Sequence, residues 1–443
     1  MNNQSKTVNE VQEHLQSGQF DQAVGVAKEV LKENPEDVFC LSVIAQSEFN
    51  SGDLEVAAST LEKALAVEPN EINLNRNLGI VKNKLGKFSQ SSQAFYNAIE
   101  NNLDHPEILL DMLLLGISLN KISAELGARA IEYVFHRAGN LKNAYMNPQE
   151  LPLISEASTI ANHIVRDARY NKQKQAIDEI SLGFDESKKK RLYDFLDSFH
   201  GIQAPKYADS MQKPTYHVFP DLQPQPFYDT NSFNWVEALE DNWLAIREEL
   251  NSLYNNKTSV KPYIENAITG NQELDALADS LDWSSIHLIK SGEYNEKLLG
   301  KCPNTKAALE QLPLSVLSGN GPEAFLSVLQ PGAEIKPHYG LSNIKLTVHL
   351  GLEIPKDCAI RVGNETRKWQ EGKVLVFDDS FEHEAWNHSE EERKVFILEV
   401  WHPDLSHLER QGIQKIMELQ HGDSQRALAE NLESLLSEIK QVI

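Results

Sequence analysis

Apolar and polar positions along this chain follow two different rhythms. In roughly the first hundred residues the pattern returns every 34: SGQFDQAV, SGDLEVAA and LGKFSQSS set Gly18, Gly52 and Gly86 at that interval. Phe20, Leu54 and Phe88 keep the spacing, as do Ala23, Ala57 and Ser91, and then Val30, Ala64 and Ala98. A period of that length predicts one pair of helices per unit. The glycine permits the tight turn between them, and small residues at Ala23 and Ala57 let the helices approach closely. Pro35 and Pro69 stop the second helix of the first two units. Beyond Pro313 the rhythm shortens to two. FLSVL, IKLTVHLGL, AIRV, KVLVF and KVFILEVW are short β-type runs punctuated by PG, GN and EG turns. In IKLTVHLGL the alternation sends Leu346, Val348 and Leu350 to a core face and Lys345, Thr347 and His349 to the face that lines whatever the strands enclose.

The first region resembles tetratricopeptide repeats over roughly residues 5–103. The third unit has Leu103 in place of the proline, and a fourth, with Asn120 at the glycine position, matches weakly. A single repeat cannot bury its own face, so HPEILLDMLLLGISL and AELGARAIEYVFHRAG are expected to cap the array. A proline-marked joint, MNPQELP, then leads into a long helical pattern that reads equally as a spacer or as more solenoid. From about 201 the chain becomes irregular and rich in proline and aromatics, followed by a predicted helix, FNWVEALEDNWLAIREELNSL. Its Trp235, Leu239, Trp243 and Ile246 fall at helical spacing and suit packing. Short strands without intervening helices predict a sandwich or barrel such as a double-stranded jelly roll. The expected fold class is therefore α + β and multidomain: a helical solenoid at 1–140, a helical spacer at 141–200, a jelly roll with flanking helices at 201–410, and one or two amphipathic C-terminal helices at 411–443.

At 443 residues and a net charge of −23, the chain is too long for one core and too acidic for a nucleic-acid surface to be its main business. Cys40, Cys302 and Cys358 are odd in number and lack CxxC spacing, which indicates neither a disulfide framework nor a zinc ribbon. MNNQSKTVNEVQEHL has no basic start or apolar core, so it is not read as a signal peptide. No apolar run of about eighteen residues occurs, so no membrane span is expected. These readings together suit a reducing, cytoplasmic setting.

His338, just after Lys336-Pro337, and His383, in DDSFEHEAW, lie 45 residues apart before and after intervening strands. Histidines so placed at the mouth of a jelly roll can converge on one metal; iron suits neutral imidazole, and zinc or copper would accept it too. A lone histidine in a β-rich domain is usually structural, so Arg393, at the start of KVFILEVW, changes the balance. Pointing inward, its guanidinium would pair bidentately with a carboxylate, as the distal carboxylate of 2-oxoglutarate requires. Pointing outward, it is one solvated charge among several in EERK. Ser327 in FLSVL and His349 suit neutral hydrogen bonding to the same cosubstrate.

SVLQPGAEIKPHYG, NIKLTVHLGLEIPKD, NETRKWQEGKVLVFDDSFEHEAWN and EVWHP resemble the aspartyl/asparaginyl β-hydroxylase family of iron(II)- and 2-oxoglutarate-dependent oxygenases. The resemblance is dense over 323–404 and runs more thinly upstream, covering about half of the chain; animal members also place tetratricopeptide repeats before the oxygenase. It implies that His338 and His383 are the iron ligands, that Gly340 preserves the family's missing acidic ligand, and that Arg393, Ser327 and His349 bind 2-oxoglutarate. Asp379 matches an aspartate close to the metal-bound water. Two positions depart from the pattern: Thr347 replaces a second arginine near 2-oxoglutarate, and a cysteine pair is reduced to Cys302. The implied activity is hydroxylation, with O2, of an aspartyl or asparaginyl residue in a peptide or a related amino-acid-derived substrate, which the helical repeats could hold. A halogenase of the same oxygenase class and a repeat-based interaction protein with an inert jelly roll are the competing readings.

Overall fold

The computed structural model describes residues 7–100, 103, 107–138, 151–265 and 277–443; positions 146–150 of the MNPQELP joint lie outside these. By compactness the chain forms two units, residues 1–169 together with 423–443, and residues 170–422.

The first unit is built from helices α1 (Val8–Gln16), α2 (Phe20–Glu33), α3 (Val38–Asn50), α4 (Leu54–Val67), α5 (Ile72–Lys84), α6 (Phe88–Glu100), α7 (Ile108–Leu119) and α8 (Ala124–Ala138). The 34-residue period appears as three turns in which Gly18, Gly52 and Gly86 all hold positive φ, +72°, +84° and +72°. Only glycine takes that conformation without strain. Ala23, Ala57 and Ser91 are fully buried at the helix contacts, and the Ser91 hydroxyl donates to the Gly79 carbonyl at 2.8 Å.

The fourth pair turns differently. Asn120 keeps a right-handed φ of −56°, and a Cβ on Gly127 would come within 2.6 Å of the Asn120 backbone. The segments expected as a cap thus form α7 and α8, and the cluster that closes over them draws on α9 (Leu151–Ile180) and on α16 (Leu432–Lys440). Leu435, Leu436 and Ile439 of α16 are buried there among Leu110, Leu113 and Ile131. Arg129 is anchored to Glu430 at 2.9 Å and to Glu438 at 2.7 Å.

Among its described residues the second unit contains α10 (Glu186–Phe199), α11 (Val236–Asp241), α12 (Trp243–Asn255), α13 (Glu296–Leu299), α14 (Pro303–Leu309) and most of α15 (His407–Ala429), around twelve strands. These are β1 (Phe227–Tyr228), β2 (Lys261–Pro262), β3 (Trp283–Lys290), β4 (Glu293–Tyr294), β5 (Ala324–Leu329), β6 (Glu334–His338), β7 (Lys345–Glu353), β8 (Cys358–Val362), β9 (Glu365–Arg367), β10 (Val374–Phe377), β11 (His383–Asn387) and β12 (Arg393–Trp401). The predicted helix FNWVEALEDNWLAIREELNSL is two, α11 and α12, broken at Asn242.

The larger sheet runs β1-β10-β7-β12-β5-β3-β2, with β4 beside β3, and the smaller β6-β11-β8-β9; every pairing is antiparallel. Leu346, Val348 and Leu350 leave β7 on its outer face and meet Leu239, Ile246 and Leu250 of α11 and α12, which cover the larger sheet. Phe325, Ile335, Ile360, Phe377 and Ile397 pack from both sheets into the interior. The expected jelly-roll architecture and the amphipathic C-terminal helices α15 and α16 are therefore present. Among the described residues no helix is long and apolar enough to cross a membrane.

Candidate active site

A cavity of about 510 Å³ opens between the two sheets. On the smaller sheet, β6 and β11 pair so that His338 and His383 face each other directly in register. Their ring centroids are 4.1 Å apart. His338 ends β6, and His383 begins β11. The Nδ1–H of His338 donates to the Lys336 carbonyl at 2.8 Å, and that of His383 to the Phe381 carbonyl at 3.0 Å. Because a carbonyl can only accept, both tautomers are fixed, and each Nε2 carries the lone pair. Burial holds both imidazoles neutral, His338 down to about 3 and His383 to about 4. A neutral, oriented imidazole is the state a metal needs.

Asp379 reaches the same place from the loop before β11. Its backbone carbonyl accepts from the Gly340 N–H at 2.7 Å, and Thr347 Oγ1 donates to its Oδ2 at 3.2 Å. Its Oδ1 is buried with no hydrogen-bond partner. A Cβ on Gly340 would overlap the Asp379 carboxyl, so no ligand-bearing side chain fits at 340 while Asp379 stands there. Burial raises the Asp379 carboxyl to about 6, with the Lys345 charge opposing. Among the described residues no group of three or more His, Cys, Asp or Glu side chains is arranged to hold a metal; the pair offers two ligands.

The larger sheet supplies the cationic end. Arg393 is 1% exposed, and its Nε and Nη2 have no hydrogen-bond partner. Nη1 lies 3.5 Å from Ser327 Oγ, and the guanidinium sits 5.0 Å from the centre of the Trp369 ring. No carboxylate pairs with it among the described residues, and burial lowers it to about 10. An isolated buried cation is costly, so the arrangement suits an anionic ligand. Ser327 Oγ accepts from Trp283 Nε1 at 3.1 Å, leaving its hydroxyl proton for such a ligand. His349 Nδ1 accepts from Trp369 Nε1 at 3.1 Å, which places the proton on Nε2. Burial and the Arg393 charge keep this imidazole neutral. Lys345, Thr347 and His349 all line the cavity, as their alternation foretold.

Every sequence-derived site residue, His338, His383, Asp379, Arg393, Ser327 and His349, lines this one cavity or contacts it. Trp283 and Trp369 were not picked out, although each fixes a polar group there. Nor was the Lys345–Glu399 ion pair, 2.5 Å long, at the other end of the cavity. Glu399 could have been noticed, since its even spacing from Arg393 puts both on the inward side of β12. Cys302 is buried and free, as are Cys40 and Cys358.

A family model described as aspartyl/asparaginyl beta-hydroxylase matches residues 240–403. The human protein named aspartyl/asparaginyl beta-hydroxylase is 37% identical over 221 residues, 49% of this chain and 28% of that protein. Aspartate beta-hydroxylase domain-containing protein 2 of Xenopus tropicalis is 33% identical over 211 residues, 47% of this chain and 55% of its own length. Ornithine lipid ester-linked acyl 2-hydroxylase of Rhizobium tropici is 34% identical over 181 residues, 40% of this chain and 61% of its own. The chain thus spans between about a quarter and three-fifths of these relatives. The matched segment contains both histidines, Asp379, Arg393, Ser327 and His349.

Proposed function

We propose that this chain, whose residues 240–403 match the aspartyl/asparaginyl beta-hydroxylase family, is an iron(II)- and 2-oxoglutarate-dependent dioxygenase. It would hydroxylate an aspartyl or asparaginyl residue of a peptide, or a related amino-acid-derived substrate. The observation that carries this is Arg393: a buried guanidinium without an anion, in the same cavity as two converging neutral imidazoles. Overall, a substrate C–H, O2 and 2-oxoglutarate would become C–OH, succinate and carbon dioxide.

The residues fit the cofactor on two counts, the paired Nε2 lone pairs and the orphaned oxygen of Asp379. Bound iron would supply the redox chemistry that no side chain provides. His338 and His383 would hold it, their rings locked by the carbonyls of Lys336 and Phe381. Asp379 Oδ1 is placed to accept a hydrogen bond from a water beside the pair, where a third ligand would otherwise stand. Arg393 and Ser327 would take the distal carboxylate of 2-oxoglutarate, and the Nε2–H of His349 would donate to it or to a neighbouring oxygen. Apolar walls at Phe325, Ile360 and Phe377 would exclude bulk water.

The halogenase reading requires room for halide where the acidic ligand is missing. The Asp379 carboxyl fills that room at Gly340, which disfavours a second anion. The test is succinate formation from 2-oxoglutarate with ferrous iron and ascorbate, with and without chloride. Chloride-dependent product would favour the halogenase, and failure to bind iron at all would favour the interaction protein.

A further inference from the structure

The end of the cavity away from Arg393 is built around Glu323, just before β5. The turn between β3 and β4, with Ser291 at φ +52° and Gly292 at φ +82°, aims the Ser291 N–H at Glu323 Oε1, 2.7 Å away. Oε2 is buried with no hydrogen-bond partner, and the closest basic atom, His287 Nε2, is 3.5 Å off. Burial, helped by the Lys290 charge, keeps His287 neutral, with its pKa down at about 4. Lys345 pairs with Glu399 Oε1 at 2.5 Å, Glu399 Oε2 accepts from the Glu323 N–H at 3.0 Å, and the Lys345 charge acts on Glu323 too weakly to offset the burial that raises its carboxyl. Lys290, the remaining nearby cation, is exposed at the rim. Arg361, outside the cavity lining, is shared between Glu382 and Glu384.

A charge count follows, and it rests on the function proposed above. A divalent ion offsets a dicarboxylate, Arg393 offsets Asp379, and Lys345 offsets Glu399. Glu323, whose Oε2 is buried, is left over, the cavity's other charges being Glu384, paired with Arg361, and Lys290 in an exposed position. That the cavity takes a ligand at all is argued independently by Arg393, 1% exposed and unpaired. We infer that Glu323 is a specificity-determining residue whose free oxygen receives a cationic nitrogen, so that the substrate is an amine-bearing amino-acid derivative. An ammonium donor there would satisfy the orphan oxygen and neutralise the remaining charge in one contact.

The test uses the full chain saturated with 2-oxoglutarate, and n-pentylammonium and pentan-1-ol as matched probes read by saturation-transfer NMR. The expected result is about tenfold tighter binding of the ammonium, the worth of one charge-assisted hydrogen bond. Glu323→Gln should erase that preference while leaving 2-oxoglutarate binding and the circular dichroism spectrum unchanged, and Glu323→Asp should keep a weakened preference. Equal affinity of the two probes for the unaltered protein overturns the inference without any variant. So does a preference that survives in Glu323→Gln, or no ammonium binding at about 10 mM. Failure to bind 2-oxoglutarate, with the ammonium preference intact, would sink the oxygenase reading and leave this one standing.

Discussion

The Asp379 carboxyl occupies the space in which a side chain on Gly340 would begin. The lack of a side chain at 340 is therefore a packed arrangement, with the Asp379 carboxyl standing where one would begin. Gly340→Ala should keep the fold but displace Asp379, costing about 1–3 kcal/mol of stability as an overpacking change. Thermal unfolding would show the loss, and succinate formation should fall more than the stability change explains. An alanine variant with unaltered turnover would show that Asp379 plays no part in the reaction.

His338→Ala and His383→Ala should each abolish ferrous iron binding and succinate formation while leaving circular dichroism unchanged. Both rings are neutral and hydrogen-bond only to nearby backbone, so little of the fold depends on them. Iron content measured after gel filtration separates this outcome from general misfolding.

Arg393→Met should raise the 2-oxoglutarate requirement by about tenfold or more, the loss of a charged pair with a carboxylate. The same change removes an uncompensated buried cation, so the ligand-free protein should melt no lower than the unaltered one. The diagnostic is a crossover. Adding 2-oxoglutarate should stabilise the unaltered protein and not the variant.

Much of this site was legible in the primary structure because it lies on one alternating strand and its neighbours. The period of two in IKLTVHLGL assigned Lys345, Thr347 and His349 to the cavity, and Arg393 stood out by its place at a strand start, with its direction left open. Trp369 was invisible by the same logic. It lies in a turn between β9 and β10 and reaches His349 only through the larger sheet. Trp283 begins β3, a strand upstream of the obvious β-rich text, and its hydrogen bond to Ser327 depends on the β3–β5 pairing. The repeats were legible for the opposite reason, that their contacts are local. Their closing helix was not, since nothing in a 34-residue period points to residues 432–440.

Asp378, beside the active-site loop, gives a pH prediction. It is fully buried, accepts from Gln212 Nε2 at 2.8 Å, and burial raises it to about 7 from an ordinary value of 3.8. A carboxyl raised on folding binds its proton more tightly in the folded state, so its contribution is greatest below about pH 4 and is lost as pH rises through 7. Asp378→Asn should therefore flatten the stability profile between pH 4 and 7, with the variant gaining relative to the unaltered protein toward the upper end. Parallel melting curves across that window, with Gln212 free to turn its amide, would check the sign.

Leu435→Ala, in α16, should destabilise the helical unit by about 2–5 kcal/mol, because the side chain is fully buried in the cluster over α7 and α8. Limited proteolysis that cleaves the repeats faster while sparing residues 283–401 would confirm where the loss falls.

That last contact has a consequence for how the molecule comes into being. Helices α6, α7 and α8 share a core with Leu435, Leu436 and Ile439, which are translated only after residues 170–422. Residues 170–422 are thus an insert within the helical unit. A nascent chain has to carry an unfinished apolar surface on those helices until residues 432–440 are made. Products cut off just before residue 432 should be recognised by chaperones and proteases, even with every cavity-lining side chain already made.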